Sequence, residues 1–214
     1  KIIIGNPNLK PARAWGLDTG FSYTQSYLTL GANLFYRDIR DVIETRETGE
    51  IRDGKSVEQV QNVGDGHLRG LELEQKLGLG ILGQPWLDPF TLTANQTWIH
   101  SRVRNTDGSK SAFKDQPDLI MNLTLDWNHQ PSGIRAAVSG NYVSSFDLTP
   151  GINDGRDSEL FVDLRVSKAL TPSTEVYLLV ENLTNQDRIK YKRNGDMEKE
   201  FSDRYVFLGT RVRF

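Results

Sequence analysis

The chain of 214 residues is 37% hydrophobic and 25% charged, with 26 basic against 28 acidic side chains, a formal net charge of −2 and no cysteine. Without cysteine there is no disulfide framework, thiolate nucleophile or cysteine metal site, and the scattered basic residues leave no nucleic-acid footprint. No stretch approaches the roughly 20 consecutive apolar residues of a membrane-spanning helix, and the length accommodates one domain.

The N-terminal Lys1-Ile2-Ile3-Ile4-Gly5 lacks the regions of a signal peptide, so any export signal is expected upstream. From there period two dominates, as strands require. The segments are Trp15 to Tyr23; Leu28, Leu30, Ala32, Leu34, Tyr36; a long stretch from about Val57 to Leu77; and Phe90, Leu92, Ala94, Trp98. Next, Leu119, Met121, Leu123, Leu125 and Trp127 alternate with Ile120, Asn122, Thr124, Asp126 and Asn128. Ile134, Ala136, Val138, Gly140, Tyr142 follow, then Leu160 to Val166, Val176 to Val180, and Val206, Leu208, Val212, Phe214. The expected fold class is all-β, an antiparallel transmembrane β-barrel contributing about nine strands, because a barrel strand turns only every second residue to lipid.

Connection lengths agree. Short turns are expected at Thr24 to Ser26, His129 to Gly133 and Leu170 to Ser173, and long polar loops at Thr48 to Lys55, Asn105 to Asp115, Asp147 to Ser158 and Asp187 to Glu200. This is the alternation of periplasmic turns with extracellular loops. Leu79 to Pro89, with Trp86, is an elaborated periplasmic turn. Trp15, Tyr23, Tyr36, Phe90, Trp98, Trp127, Tyr142 and Phe146 are expected near strand ends as interfacial girdles. By parity, Asn33, Arg37, Glu72, Glu74, Asn122, Asp126, Asp163, Arg165, Glu181, Arg211 and Arg213 should face the lumen.

Four motifs stand in order: Gly5-Asn6-Pro7-Asn8-Leu9-Lys10-Pro11; Tyr36-Arg37-Asp38-Ile39; Asn62-Val63-Gly64 with Arg69-Gly70-Leu71-Glu72; and Val180-Glu181-Asn182-Leu183-Thr184. The chain ends on an alternating Tyr205 to Phe214. Together these resemble the C-terminal part of the barrel of TonB-dependent outer-membrane receptors. Ala12 stands where that family usually has Glu, and Ser202-Asp203-Arg204 where Pro-Gly-Arg often precedes the last strand. The resemblance implies a 22-stranded barrel whose plug domain, TonB-contacting box and earlier strands are expected outside residues 1–214. It also implies location in the bacterial outer membrane, contact with its lipid, and a barrel-assembly signal in Phe214, Val212, Leu208 and Val206 read by the assembly machinery. The implied partners are TonB and the protein's own plug, through the missing N-terminal part, and a small nutrient. The implied function is active uptake of a scarce nutrient such as a ferric siderophore.

Arg46, Arg52, Arg104, Lys110 and Arg156 are the loop candidates for attracting an anionic ligand. No cofactor is expected. The histidines His67, His100 and His129 show no ligand spacing on one element, and Asn153-Asp154-Gly155-Arg156-Asp157 lacks the ligands of an EF-hand and reads as a turn. Gly64-x-Gly66 reads as a turn or bulge. No catalytic constellation can be assembled, and the chain is not expected to be an enzyme. Two readings compete with the transporter: a passive outer-membrane porin, and a non-membrane β-domain for adhesion.

Overall fold

A computed structural model describes residues 1–148, 154–191, 195–200 and 202–213. β-Branched and aromatic residues at alternate positions suit a pleated surface with one apolar face, and each such segment is a strand. β1 (Ile2–Ile4) is followed by β2 (Arg13–Gln25), β3 (Leu28–Arg52), β4 (Lys55–Gly78) and β5 (Phe90–Asn105). Then come β6 (Lys110–Ser111), β7 (Leu119–His129), β8 (Ile134–Val143), β9 (Phe146–Asp147) and β10 (Gly155–Arg156). The last are β11 (Glu159–Ala169), β12 (Thr174–Glu181), β13 (Arg188–Tyr191), β14 (Met197–Glu200) and β15 (Tyr205–Val212).

Nine of these form the expected antiparallel meander, in the order β2-β3-β4-β5-β7-β8-β11-β12-β15. β2 and β15 are its edges and the sheet is open.

Register turns the alternation into two chemically distinct faces. Leu28, Leu77, Leu92, Leu125, Val138, Leu164, Val180 and Val206 are directly paired across eight strands, an unbroken aliphatic row. One residue away, on the other face, Thr29, Lys76, Thr93, Thr124, Ser139 and Asp163 are likewise paired. A register slip of one residue would exchange these faces, so their segregation fixes the pairing.

The sheet curls toward the polar face: one cavity of about 690 Å³ is lined by Lys76 of β4, Thr93 of β5, Asp126 of β7, Arg135 of β8, Arg165 of β11, Glu175 of β12 and Arg211 of β15. Seven neighbouring strands share a cavity only on a concave side. The convex face leaves large apolar side chains uncovered, with Leu208 84% and Phe21 64% exposed. Such a surface needs an apolar solvent.

Short turns lie on one rim and long connections on the other, as the alternation predicts. The Leu79 to Pro89 connection is two short 3-10 turns, Leu79–Leu82 and Pro85–Leu87. The long rim departs from expectation in three ways. Thr48 to Lys55 is not an open loop: β3 and β4 stay paired to Arg52↔Lys55 and close on Asp53-Gly54 at φ 53° and 72°, the Asp-Gly hairpin turn. Asp187 to Glu200 contains β13 and β14, which join β9 and β10 in a second, four-stranded sheet. Tyr36 and Trp98 lie mid-strand because β3 and β5 continue beyond the apolar band.

Candidate functional site

The concave wall is a network of polar pairs. Arg37 forms an ion pair with Asp18 at 2.9 Å, and Asn33 donates to Glu72 at 3.3 Å. Asn141 donates to Asn122 at 2.5 Å, and the Thr124 and Ser139 hydroxyls meet at 3.0 Å. Arg165 lies over the Tyr177 ring, and Arg211 approaches Glu175 at 3.8 Å. Glu74, Asp126, Asp163, Glu181 and Arg213 share this parity by register or position. The Asp163 carboxylate accepts from the backbone N–H of Asn182.

Glycine matters where the wall is thin. A Cβ at Gly70 would lie 2.2 Å from Phe35 Cζ and 2.4 Å from the carbonyl oxygen of Trp98, so the Phe35 ring packs directly against the backbone there. The Arg69-Gly70-Leu71-Glu72 motif thus holds an inward aromatic plate next to an inward carboxylate.

At the loop rim a small core of Val42, Val63 and Val103 is joined by Ile39 and Phe113. Phe113 places residues 106–118 against the top of the wall, and its backbone N–H donates to the buried Ser101 hydroxyl at 3.0 Å. A bulge makes this core possible: Asp41 and Gly64 adopt positive φ, and the β3–β4 register shifts between Ile39 and Ile43. The Gly64-x-Gly66 motif is therefore a bulge.

The Asn-Pro motif crosses this hairpin. β1 pairs in parallel with β4 at Val57 to Gln59, on the edge that β5 vacates above Asn105↔Gly64, whereas β2 pairs with β3. Asn62 clamps the crossing: its side chain accepts from the Lys10 N–H at 2.8 Å and donates to the carbonyls of Lys10 and Asp41, each at 2.9 Å. The Lys1 amine hydrogen-bonds Glu58 and is held above its ordinary pKa by that contact.

Asn182 performs the same service at the other end. Buried, with φ 52°, it accepts from the Gln186 N–H at 2.8 Å and donates to the carbonyls of Gln186 and Ser202, tying both stems of residues 182–204. Beyond it, Glu200 receives Lys190 and lies 3.3 Å from Arg156. The hydrogen bond from Lys190, with the Arg156 charge beside it, lowers the Glu200 pKa. The Lys199 hydrogen bond does the same for Asp187, and the Tyr191 phenol, donating to Asp157 at 3.0 Å, is raised.

The five candidate loop cations do not converge. Arg46 is held by Glu44 at 2.7 Å, Arg52 by Glu50 at 2.9 Å and Arg156 by Glu200. Arg104 and Lys110 are register partners, beside Asp38, Asp65, His67 and Arg102. His67 stacks on Tyr36 and His129 on Trp127. Val206, Leu208 and Val212 alternate outward on β15, whereas Phe214 and Asn153 lie outside the described residues. Sequence reasoning passed over Phe113, Phe35, Asn62 as a clamp and the Asp53-Gly54 turn; only the last carries a local signal.

A family model described as TonB dependent receptor-like, beta-barrel matches residues 1–183. Solved structures share the fold. The FrpB iron transporter from Neisseria meningitidis is 18% identical with a TM-score of 0.68, covering 100% of this chain and 32% of its own. The copper transporter OprC is 16% identical with a TM-score of 0.74, covering 97% and 32%. The ferric yersiniabactin uptake receptor FyuA from Yersinia pestis is 16% identical with a TM-score of 0.70, covering 95% and 30%. The chain therefore spans about a third of the length of these structures. No curated protein matches it.

Proposed function

Since the chain belongs to the TonB-dependent receptor β-barrel family, a family of outer-membrane receptors and transporters, we propose that residues 1–214 are the C-terminal third of a 22-stranded barrel whose plug domain and earlier strands belong to the rest of the protein. The short-turn rim is periplasmic and the long-connection rim extracellular. The concave wall then faces the plug, and its ladder of paired charges and amides offers many weak polar contacts, suited to a plug that must be held yet released. TonB, acting through the plug, drives that release. The observation carrying this reading is the segregation of an aliphatic convex row from a polar concave row, under loops that fold together at one rim.

The nutrient is a scarce chelate of the ferric siderophore class. Support comes from the named substrates of the structural relatives, which include iron and ferric yersiniabactin. Arg46, Arg52 and Arg156, on the β3–β4 hairpin and the four-stranded loop sheet, are the cations we assign to the ligand-facing side. Their ion pairs make them a reserve of positive charge that an anionic ligand would compete for. The assembly signal is carried by Val206, Leu208 and Val212 of β15 together with the C-terminal Phe214.

The test is uptake by the whole protein in cells. Radiolabelled iron presented as ferric siderophores should accumulate only with intact TonB. TonB-independent passage, scaling with solute size, would establish the porin alternative instead.

A further inference from the structure

The convex face does not end with its apolar band. From Phe90 to Trp98 the band covers about 26 Å of strand at ~3.3 Å per residue. Beyond it, outward positions become basic. On β5, His100, Arg102 and Arg104 are exposed while the inward Ser101 and Val103 between them are buried. Register extends this across the neighbouring strands: Arg69 opposes Tyr36 and His100, Arg104 opposes Asp65 and Lys110, and Arg13 opposes Arg40.

Six cations, Arg13, Arg40, Arg69, Arg102, Arg104 and Lys110, therefore crown the aromatic residues Trp15, Tyr36 and Trp98. Two outward carboxylates, Asp38 and Asp65, stand among them. Among the described residues none of the six cations takes part in an ion pair or a side-chain hydrogen bond, whereas Arg37, Arg46, Arg52, Arg156 and Arg188 are all paired. Six cations without an ion pair thus gather in one zone, continuous with the lipid-facing surface and pointing away from the lumen. A transported ligand would not meet it there. Guanidinium groups match phosphate in geometry and charge, and cations immediately beyond an aromatic girdle lie at headgroup depth.

We propose that this outward basic belt binds the phosphates of anionic lipid headgroups in the extracellular leaflet, anchoring the barrel's depth and tilt. The cleft formed by Asp38, Asp65, His67, Arg102, Arg104 and Lys110 is its centre. The inference rests on the barrel orientation given above.

The whole protein, reconstituted in phosphatidylcholine vesicles with or without a minority of phosphatidic acid, provides the assay, read as phosphatidic acid retained per protein. A cation near an anionic surface contributes roughly fivefold in affinity, so R102Q/R104Q/K110Q should weaken retention about a hundredfold. K55Q/K114Q, equally exposed but outside the belt, should leave it unchanged. D38N/D65N, which removes the two outward acids, should tighten it, and this gain of function does not depend on how well the triple variant folds. Equal retention by the triple variant and the unaltered protein, or no tightening in D38N/D65N, would overturn the inference while leaving the barrel reading intact. Displacement of the lipid by inorganic phosphate at comparable concentration would assign the cleft to a free anion and overturn it too. Failure of the unaltered protein to insert into neutral vesicles would overturn the barrel reading itself, and the inference with it.

Discussion

Replacing Asn182 with alanine tests whether the Asn-Leu-Thr motif is a clamp for the last long loop. Three side-chain hydrogen bonds are lost, one accepted from Gln186 N–H and two donated to the carbonyls of Gln186 and Ser202. At about 1 kcal/mol net each, they total about 3 kcal/mol. Alanine must also adopt φ 52°, which adds about 1 kcal/mol. Asn182→Gly removes the same bonds without that backbone penalty, so the two variants should differ by about 1 kcal/mol. The loop is a local unit, and the assay is hydrogen exchange on the detergent-solubilised whole protein, read over residues 183–191 and 202–206. About 3 kcal/mol for Asn182→Gly corresponds to roughly a hundredfold faster local exchange, and about 4 kcal/mol for Asn182→Ala to about a thousandfold, with β7 and β8 unaffected. A change below about threefold in both variants would refute the clamp, because three buried bonds cannot be lost at that cost.

Other consequences follow from the same geometry. Gly70→Val drives a side chain into the Phe35 ring and the Trp98 carbonyl. It should cost at least about 3 kcal/mol, the upper end of overpacking, seen as lower yield of heat-resistant folded barrel, and Phe35→Ala should restore only part because the backbone contact remains. Asn62→Ala frees the Lys10 crossing, so limited proteolysis should cut within residues 5–12 while β2 to β15 stay resistant. The loop sheet should depend on pH in a defined direction. Glu200 and Asp187 have pKa values lowered by Lys190 and Lys199, so their support is present above the ordinary carboxylate range and lost as pH falls through the depressed values. Tyr191, raised by its bond to Asp157, contributes below the usual phenol range and loses its contribution as pH rises through the raised value. Protection over 154–158 and 188–191, taken as exchange relative to the intrinsic rate at each pH, should therefore be greatest near neutrality and fall at both extremes.

The nine-strand meander and its facing were legible because an apolar solvent outside and a polar interior impose a strict period of two, and one slip would invert every side chain. Leu123, Leu125, Asn122 and Asp126 fall on the sides their parity assigns. The loop rim was less legible, since the membrane no longer dictates the pattern there. β3 and β4 run on as a hairpin with charged residues on both sides, and pairing is enforced by Asp53-Gly54 rather than by hydropathy. The four-stranded sheet joins segments from two separate loops, a long-range event with no local signature. Phe113 reads as one aromatic in a polar stretch, and only the bulge at Gly64 creates the core that receives it. The motifs were visible as a family resemblance, but their physical task, clamping by Asn62 and Asn182, emerges only when the backbone groups they bind are in place.

The most direct test of the account uses the absence of native cysteine in this chain. Single cysteines placed in turn at Asn122, Leu123, Thr124, Leu125 and Asp126 of the whole protein, in native membranes, would be exposed to a small membrane-impermeant maleimide and, separately, to lipid-borne spin-label quenchers of an attached fluorophore. The expected result is strict alternation, with Asn122, Thr124 and Asp126 reacting from water and Leu123 and Leu125 quenched from lipid. Uniform reactivity, or alternation of the opposite parity, would contradict the placement of this sheet in a barrel wall.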